Sequence, residues 1–367
     1  MNRTARIAIV GGGLAGLVAG NLLQQAGMED FIILEARHRA GGRVLGTGHR
    51  PETGGLLQEG FDLGAAWFWP EWQPMLAQLV AELGLSAVLQ DESGDMLVER
   101  YPHQPPVRIP GMMTAPPAFQ LDGGMTALVA ALVRRLAMGK LLAGAQVRQL
   151  CLGADGVEIR MDGGVCRAEQ VLLALPPRLA AGLQFEPVLP AALLSGWLQT
   201  ETWMAAHAKY VAVYPEPFWR SAGLSGFASS RIGPLGEIHD LSSRTGQAAL
   251  FGFFAMTASE RARVPEQQLR AQCRDQMVHL FGAAAASPVF DIIKDWSQDP
   301  LTATLADQLA SGQHPRSPAT SPSTGSWQGR LAGIASEWST TFPGYLAGAL
   351  DAAHRGVAAW LADASVR

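Results

Sequence analysis

The stretch "RIAIVGGGLAGLVAGNLLQQAGMEDFIILE", residues 6–35, decides the fold. "RIAIV" is short and apolar and reads as a strand. "GGGLAG" follows without a gap. Leu14–Ala26 is rich in alanine and leucine and predicts a helix closing near Gly27, which suits the position after a helix C-terminus. "FIILE", residues 31–35, reads as a second strand, so the stretch is one βαβ unit. Gly11, Gly13 and Gly16 form a GxGxxG pattern between strand and helix. Each glycine has its own reason: Gly11 for the tight turn, Gly13 for close approach of backbone to a pyrophosphate, Gly16 for close packing of helix on strand. The helix N-terminus then faces the anion. Glu35 ends the second strand 24 positions after Gly11, near the roughly twenty at which an acidic residue takes ribose hydroxyls. The chain is therefore expected to be α/β (α+β), with a Rossmann-like dinucleotide-binding domain.

The continuation "EARHRAGGRV" places Gly41, Gly42 and Arg43 just after the second strand. A flexible glycine pair followed by a guanidinium suits contact with a second face of a pyrophosphate.

Composition narrows the alternatives. The chain has 367 residues, 48% hydrophobic and 16% charged, with a formal net charge of −4. This is a globular chain long enough for one large domain or two medium ones. No basic block exists to hold nucleic acid. Cys151, Cys166 and Cys273 are odd in number and widely spaced, which argues against a disulfide framework or a zinc site and for buried thiols in a reducing compartment. No segment reads as a signal peptide or reaches the ~18 uninterrupted apolar residues of a membrane span. A soluble, cytoplasmic protein is expected.

Residues 50–120 change character, becoming rich in Trp, Pro and Gly, with a helical patch around 73–84. "YPHQPPVRIPGMMTAPPAF" carries six prolines and is expected to be an irregular loop. Residues 125–138 look helical, "QVRQLCL" and "VEIRM" alternate like paired strands, and "QVLLALPP" reads as a buried strand stopped by prolines. Strand-like runs fill 205–255, and "PEQQLRAQCRDQMVHLFG" is an amphipathic helix. Residues 311–326 are loop by composition. The chain closes with "RLAGIAS" and a helix over roughly 345–361. Two discontinuous domains are expected: residues 1–60, 122–185 and 325–367 for the dinucleotide, and 61–121 and 186–324 for a sheet-based substrate domain.

"HAKYVAVYPEPFW", residues 207–219, contains one anomaly. Lys209 shares a strand face with Val211 and Val213, while Ala208, Tyr210, Ala212 and Tyr214 share the other. Both faces are apolar, and burying an ammonium is costly without compensation. From the strand alone two readings stand: a functional lysine, or an edge-strand lysine that blocks sheet pairing.

Five segments, in order, resemble the flavin-containing amine oxidases, the family of monoamine and polyamine oxidases: "IVGGGLAGLVAG…FIILEARHRAGGRV", "FDLGAAWF", "LDGGMTALVAAL", "KYVAVYPEPFW" and "GRLAGIASEWSTTFPGYLAGALDAAHRGVAAWL". The resemblance implies a two-domain FAD protein. It implies that Lys209 holds a water near the reactive N5 of the flavin, where a lysine bonded to water escapes the full burial cost. It makes Tyr345 one wall of an aromatic cage for the amine; Trp67 and Phe342 are read as apolar walls of the substrate site. Flavin contacts carry over to Gly11, Gly13, Gly16, Glu35, Ala36, Arg37, Gly42, Arg43, Ala66, Val147, Trp296, Ser336, Glu337, Gly344 and Leu346. The helix starting near Gly344 would place its positive end toward the reduced ring.

Several positions depart from the family pattern. The usual GxE reads Ala335-Ser336-Glu337 and is followed by Trp338. Between Trp296 and Trp327 no Tyr, Phe or Trp stands as the second cage aromatic; the stretch offers His314. It also holds no cysteine, so the FAD is expected to be non-covalent. Trp69 replaces a usual histidine, and no arginine lies beside Ala65–Ala66 to grip a substrate carboxylate. A simple, fairly apolar amine is the expected substrate, with hydride transfer to the flavin, imine hydrolysis, and dioxygen or a protein as electron acceptor. No metal is expected. The alternatives are a flavin-dependent desaturase or isomerase of an apolar substrate, and a non-catalytic FAD-bound partner protein.

Overall fold

The computed structural model describes residues 2–48, 60–111, 113–242, 248–309 and 313–364. Residues 49–59, within the region of changed composition, and 310–312, next to His314, lie outside the described residues. The chain forms two compact units, each assembled from separated segments: Met1–Val44, Leu128–Ala205 and Pro300–Arg367 form the first, Leu45–Ala127 and Ala206–Asp299 the second.

Among the described residues, the first unit holds an eight-stranded sheet. The strand Asn2–Val10 lies between Phe31–Glu35 and Gly164–Leu173, parallel to both. Phe31–Glu35 pairs in turn with Leu141–Ala143. The strand Gly164–Leu173 continues the sheet on its other side through the antiparallel strands Gly156–Met161 and Val147–Gly153, and also takes Leu331–Gly333 in parallel. The helix Leu14–Gln25 joins the first two strands and packs against the final helix Leu346–Ala364. All five residues of "FIILE" are buried, as a parallel strand covered on both faces requires.

The boundaries differ from those read in the sequence at the joins between segments, with 122–127 also falling in the second unit. The helix Ala191–Gln199 belongs to it because Trp197, fully buried, packs edge-on against Trp338 at 5.5 Å and donates its indole N–H to Ala319 O at 2.8 Å. Residues 300–309 join it through Asp307, whose buried carboxylate accepts from the Arg178 guanidinium at 2.7 Å and the Thr202 amide at 2.9 Å. Residues 45–48 instead belong to the second unit, since Leu63 N donates to Leu45 O and Thr47 N to Phe61 O.

The second unit carries a seven-stranded sheet among its described residues, in the order Phe290–Asp295, Ala208–Tyr214, Ala248–Phe254, Leu235–Asp240, Leu224–Ser230, Asp95–Glu99, Val107–Pro110. The last strand corrects the expectation of an irregular loop. Val107–Pro110 pairs antiparallel with Asp95–Glu99 and, among the described residues, ends the sheet, with Pro110 closing the pairing. A proline is tolerated at such a place because no ladder amide is missing there. The helix Glu266–Phe281 covers the sheet face formed by Tyr210, Ala212 and Tyr214 with Leu269, Cys273, Met277 and Leu280.

Candidate functional site

In the first unit the glycine pattern sits where its chemistry requires. A Cβ on Gly16 would lie 2.0 Å from Gly11 O, so only glycine lets the helix close on the strand. Gly13 is the N-cap of Leu14–Gln25, with no side-chain cap and no acidic residue in the first turn. The first-turn amides are thus left for an anion. Gly41 N donates to Gly12 O at 2.8 Å, and Gly13 and Gly41 form a parallel bridge. This joins the second glycine pair to the first. Glu35, 3% exposed, accepts from Gly12 N at 2.7 Å and Arg37 N at 2.8 Å. Ala36 is half-buried beside it, and the Arg37 side chain donates to Thr302 Oγ1 at 3.0 Å. Val147 is buried in its strand.

Arg43, Ser336 and Glu337 come together. Glu337 is fully buried, and Arg43 grips it in a two-pronged pair, Nη1 to Oε1 at 2.6 Å and Nη2 to Oε2 at 3.0 Å. Ser336 Oγ and the Trp203 amide also donate to Glu337, at 2.9 and 3.3 Å. The guanidinium donates further to Ser336 Oγ and Trp203 O. Both charged groups, which the resemblance gives separately to the cofactor, are thus tied to each other.

Trp203 is a residue that the sequence reading misses. The His314 ring stacks on it at 3.7 Å between centroids and on Tyr345 at 4.8 Å, both with interplanar angles of 21°. The Tyr345 hydroxyl and His314 Nε2 are 3.0 Å apart, and His314 Nδ1 lies 3.3 Å from Pro343 O. Donation from Nδ1 to that carbonyl would leave Nε2 to accept from the tyrosine. Gly344 makes the stack possible: its φ is +86°, and a Cβ would come within 2.4 Å of Trp203 Cβ. Partial burial pushes the Tyr345 hydroxyl above its ordinary pKa. Phe342 is half-buried, its amide donating to Ser339 Oγ at 2.9 Å. Leu346 opens the final helix.

In the second unit the strand Ala208–Tyr214 is buried along its whole length and has a neighbour on each side. The edge-strand reading of Lys209 is therefore overturned. Lys209 is 3% exposed, and its ammonium donates to Asp62 O at 3.0 Å and Gly64 O at 2.9 Å. It lies 4.1 Å from the Phe251 ring centroid and 5.5 Å from that of Phe253. Burial pulls its pKa down to about 8, against the opposing pull of Asp62; burial pushes the Asp62 carboxyl up to about 7. Trp67 is half-buried, packs on Phe251 and His239, and donates its indole N–H to Gln90. Ala66 is buried nearby in the apolar cluster with Val211 and Phe251. The Trp296 indole donates to Leu63 O at 3.1 Å, and Lys294 lies over its ring at 4.4 Å. Asp62 was the signal available in "FDLGAAWF": an acidic residue between Phe61 and Leu63 is the same kind of anomaly as Lys209.

Comparison with known proteins places the chain. The family described as flavin containing amine oxidoreductase matches residues 103–360, and an NAD(P)-binding Rossmann-like domain matches 9–83. A probable flavin-containing monoamine oxidase A from Dictyostelium discoideum is 27% identical over 247 residues, 64% of this chain and 52% of that protein. Putrescine oxidase from Kocuria rosea is 29% identical over 148 residues, 40% of this chain and 30% of that one. The chain therefore spans about half or less of the length of these curated relatives. Among solved structures, wild-type putrescine oxidase bound to putrescine superposes with a TM-score of 0.80 at 18% identity, covering 99% of this chain and 100% of that one. Cyclohexylamine oxidase from Brevibacterium oxydans gives 0.80 at 18%, covering 98% and 99%. At that identity the likeness establishes the fold.

Proposed function

The chain belongs to the flavin-containing amine oxidoreductase family, and from that premise we propose that it binds FAD non-covalently and oxidises a simple, fairly apolar amine. The observation that carries the reading is Lys209. It places an ammonium in the interior of a sheet, where burial is costly, and the two main-chain carbonyls that hold it take only two of its three donors.

The residues of the first unit fit the cofactor. The uncapped helix N-terminus and the joined glycine loops suit a pyrophosphate, and the buried Glu35 carboxylate suits a ribose. Non-covalent binding is supported by the thiols: Cys166 and Cys273 are buried, and burial raises all three above the ordinary thiol range, Cys166 to about 11. Bound FAD would supply the ring that takes a hydride from the carbon beside the amine nitrogen, and the route for its electrons to dioxygen or a protein acceptor. The chain supplies positions and charges. Lys209 has three N–H donors, and two carbonyls take two of them. The third is assigned to a water that assists imine hydrolysis, and the positive charge favours electron transfer to dioxygen. Tyr345 offers a π face to the amine, and Trp67 and Phe342 offer apolar walls. The amine reacts as the neutral base, since a protonated nitrogen has no lone pair left to form the C=N bond as hydride departs.

A panel of amines, with peroxide and aldehyde as readouts, tests this reading. Turnover of aliphatic or aromatic amines that is lost in Lys209→Met and Tyr345→Ala supports it. A second reading, FAD binding without turnover, draws on His314, whose ring covers a face of Tyr345; it expects bound FAD and no product from any amine. A desaturase or isomerase expects flavin reduction by an alkene and none by amines.

A further inference from the structure

We propose that Asp62 is the positioning residue of Lys209: its main-chain oxygen accepts one hydrogen bond from the ammonium, while its buried carboxylate locks the supporting turn and favours the charged lysine. The proposal rests on the role given above to Lys209.

The geometry has two parts. Asp62 O and Gly64 O accept from the ammonium at 3.0 and 2.9 Å, so the short turn 62–64 is the seat of the lysine. That turn is fixed through the Asp62 side chain, whose two oxygens lie 2.9 and 3.1 Å from the Met125 amide. The amide is delivered by the Gly123–Gly124 turn. Gly124 has φ +76°, and a Cβ there would press to 3.0 Å from Asp62 Oδ1. The turn 121–125 thus wraps the carboxylate, and the carboxylate aims the two carbonyls.

Asp62 also brings an acidic group next to the lysine, since its own main-chain oxygen is one of the two acceptors. The carboxylate is 2% exposed, so little water screens it. The register partners of Lys209 are Phe253 on one side and Lys294 on the other. Lys294 is itself paired with Asp299 at 3.2 Å. His207, just before the strand, meets the Phe253 ring edge-on at 6.4 Å and is driven toward its neutral form by burial and by Arg261. Arg261 is committed to Asp295 at 2.8 Å.

The chain has three lysines, Lys140, Lys209 and Lys294. Their side-chain signals can therefore be followed separately in FAD-loaded protein carrying 15N-lysine. One signal, missing in Lys209→Met, should titrate well below an ordinary lysine. In Asp62→Asn, which keeps an acceptor for the Met125 amide and removes the charge, its midpoint should fall by at least about one pH unit. The pH limb of flavin reoxidation should move with it, and should be absent in the Asp62→Asn/Lys209→Met double variant. A midpoint that stays or rises in Asp62→Asn overturns the proposal. The native protein gives a check that needs no folded variant: the Lys209 signal should show a second, smaller inflection as Asp62 titrates, and a single inflection refutes the coupling. Failure of the catalytic reading looks different, because the Lys209 midpoint would then fall in Asp62→Asn while reoxidation ignored the lysine.

Discussion

Replacing Arg43 with Met tests the arrangement of the first unit most sharply. The substitution keeps a long apolar stem and removes both prongs of the pair with Glu337. Glu337 is fully buried, so its carboxylate cannot recover the loss from water. Breaking a buried pair from one side costs about 3–5 kcal/mol. Arg43 is 28% exposed at its side chain, and Ser336 Oγ and the Trp203 amide still donate to the carboxylate. The low end, about 3 kcal/mol, is therefore expected. At roughly 2–4 °C per kcal/mol for a unit of this size, Tm should fall by about 6–12 °C. Thermal unfolding followed by circular dichroism, with FAD in excess, measures it. Arg43→Met/Glu337→Gln should recover at least about half of the loss, since no uncompensated charge then remains buried. A Tm within about 2 °C of the parent in the single variant, or a double variant no better than the single, would refute the reasoning.

Three further outcomes are expected. Glu35→Ala should weaken FAD binding by about ten-fold or more in calorimetry, because ribose hydroxyls lose a charged acceptor; unchanged affinity would remove Glu35 from the cofactor site. Lys209→Met should stay soluble by light scattering, because its strand is internal, and should slow flavin reoxidation by at least about ten-fold. In the parent, reoxidation should slow as pH rises through about 8, where Lys209 loses the charge that burial already disfavours, and a flat profile would contradict this. Acid or heat should release FAD into solution, and flavin retained on the precipitated chain would show that the attachment is covalent.

The dinucleotide half was legible because its rules are local. One strand, one glycine turn and one acidic residue fall within 30 positions, and each glycine has a steric reason that neighbours in sequence reveal. What stayed hidden depends on distant partners. Trp197 reads as an ordinary helix residue until Trp338 and Ala319 are beside it. Arg43 and Glu337 are 294 positions apart, and nothing local says that they neutralise one another. The strand at Val107–Pro110 was masked by its prolines, which an edge position tolerates. Lys209 announced itself as an anomaly, yet its compensation came from main-chain carbonyls, which carry no sequence signature. His314 drew notice as the ring left in a stretch without other aromatics, but its stacking on Trp203 required a contact no spacing predicts.

The most direct test is anaerobic. FAD-loaded protein is mixed with a panel of simple aliphatic and aromatic amines in a stopped-flow spectrophotometer, and the visible absorption band of the oxidised flavin is followed. Bleaching by at least one amine, at a rate that rises to a plateau with its concentration and with no bleaching by α-amino acids or alkenes, is the predicted result. Flavin that stays yellow with every amine would contradict the account.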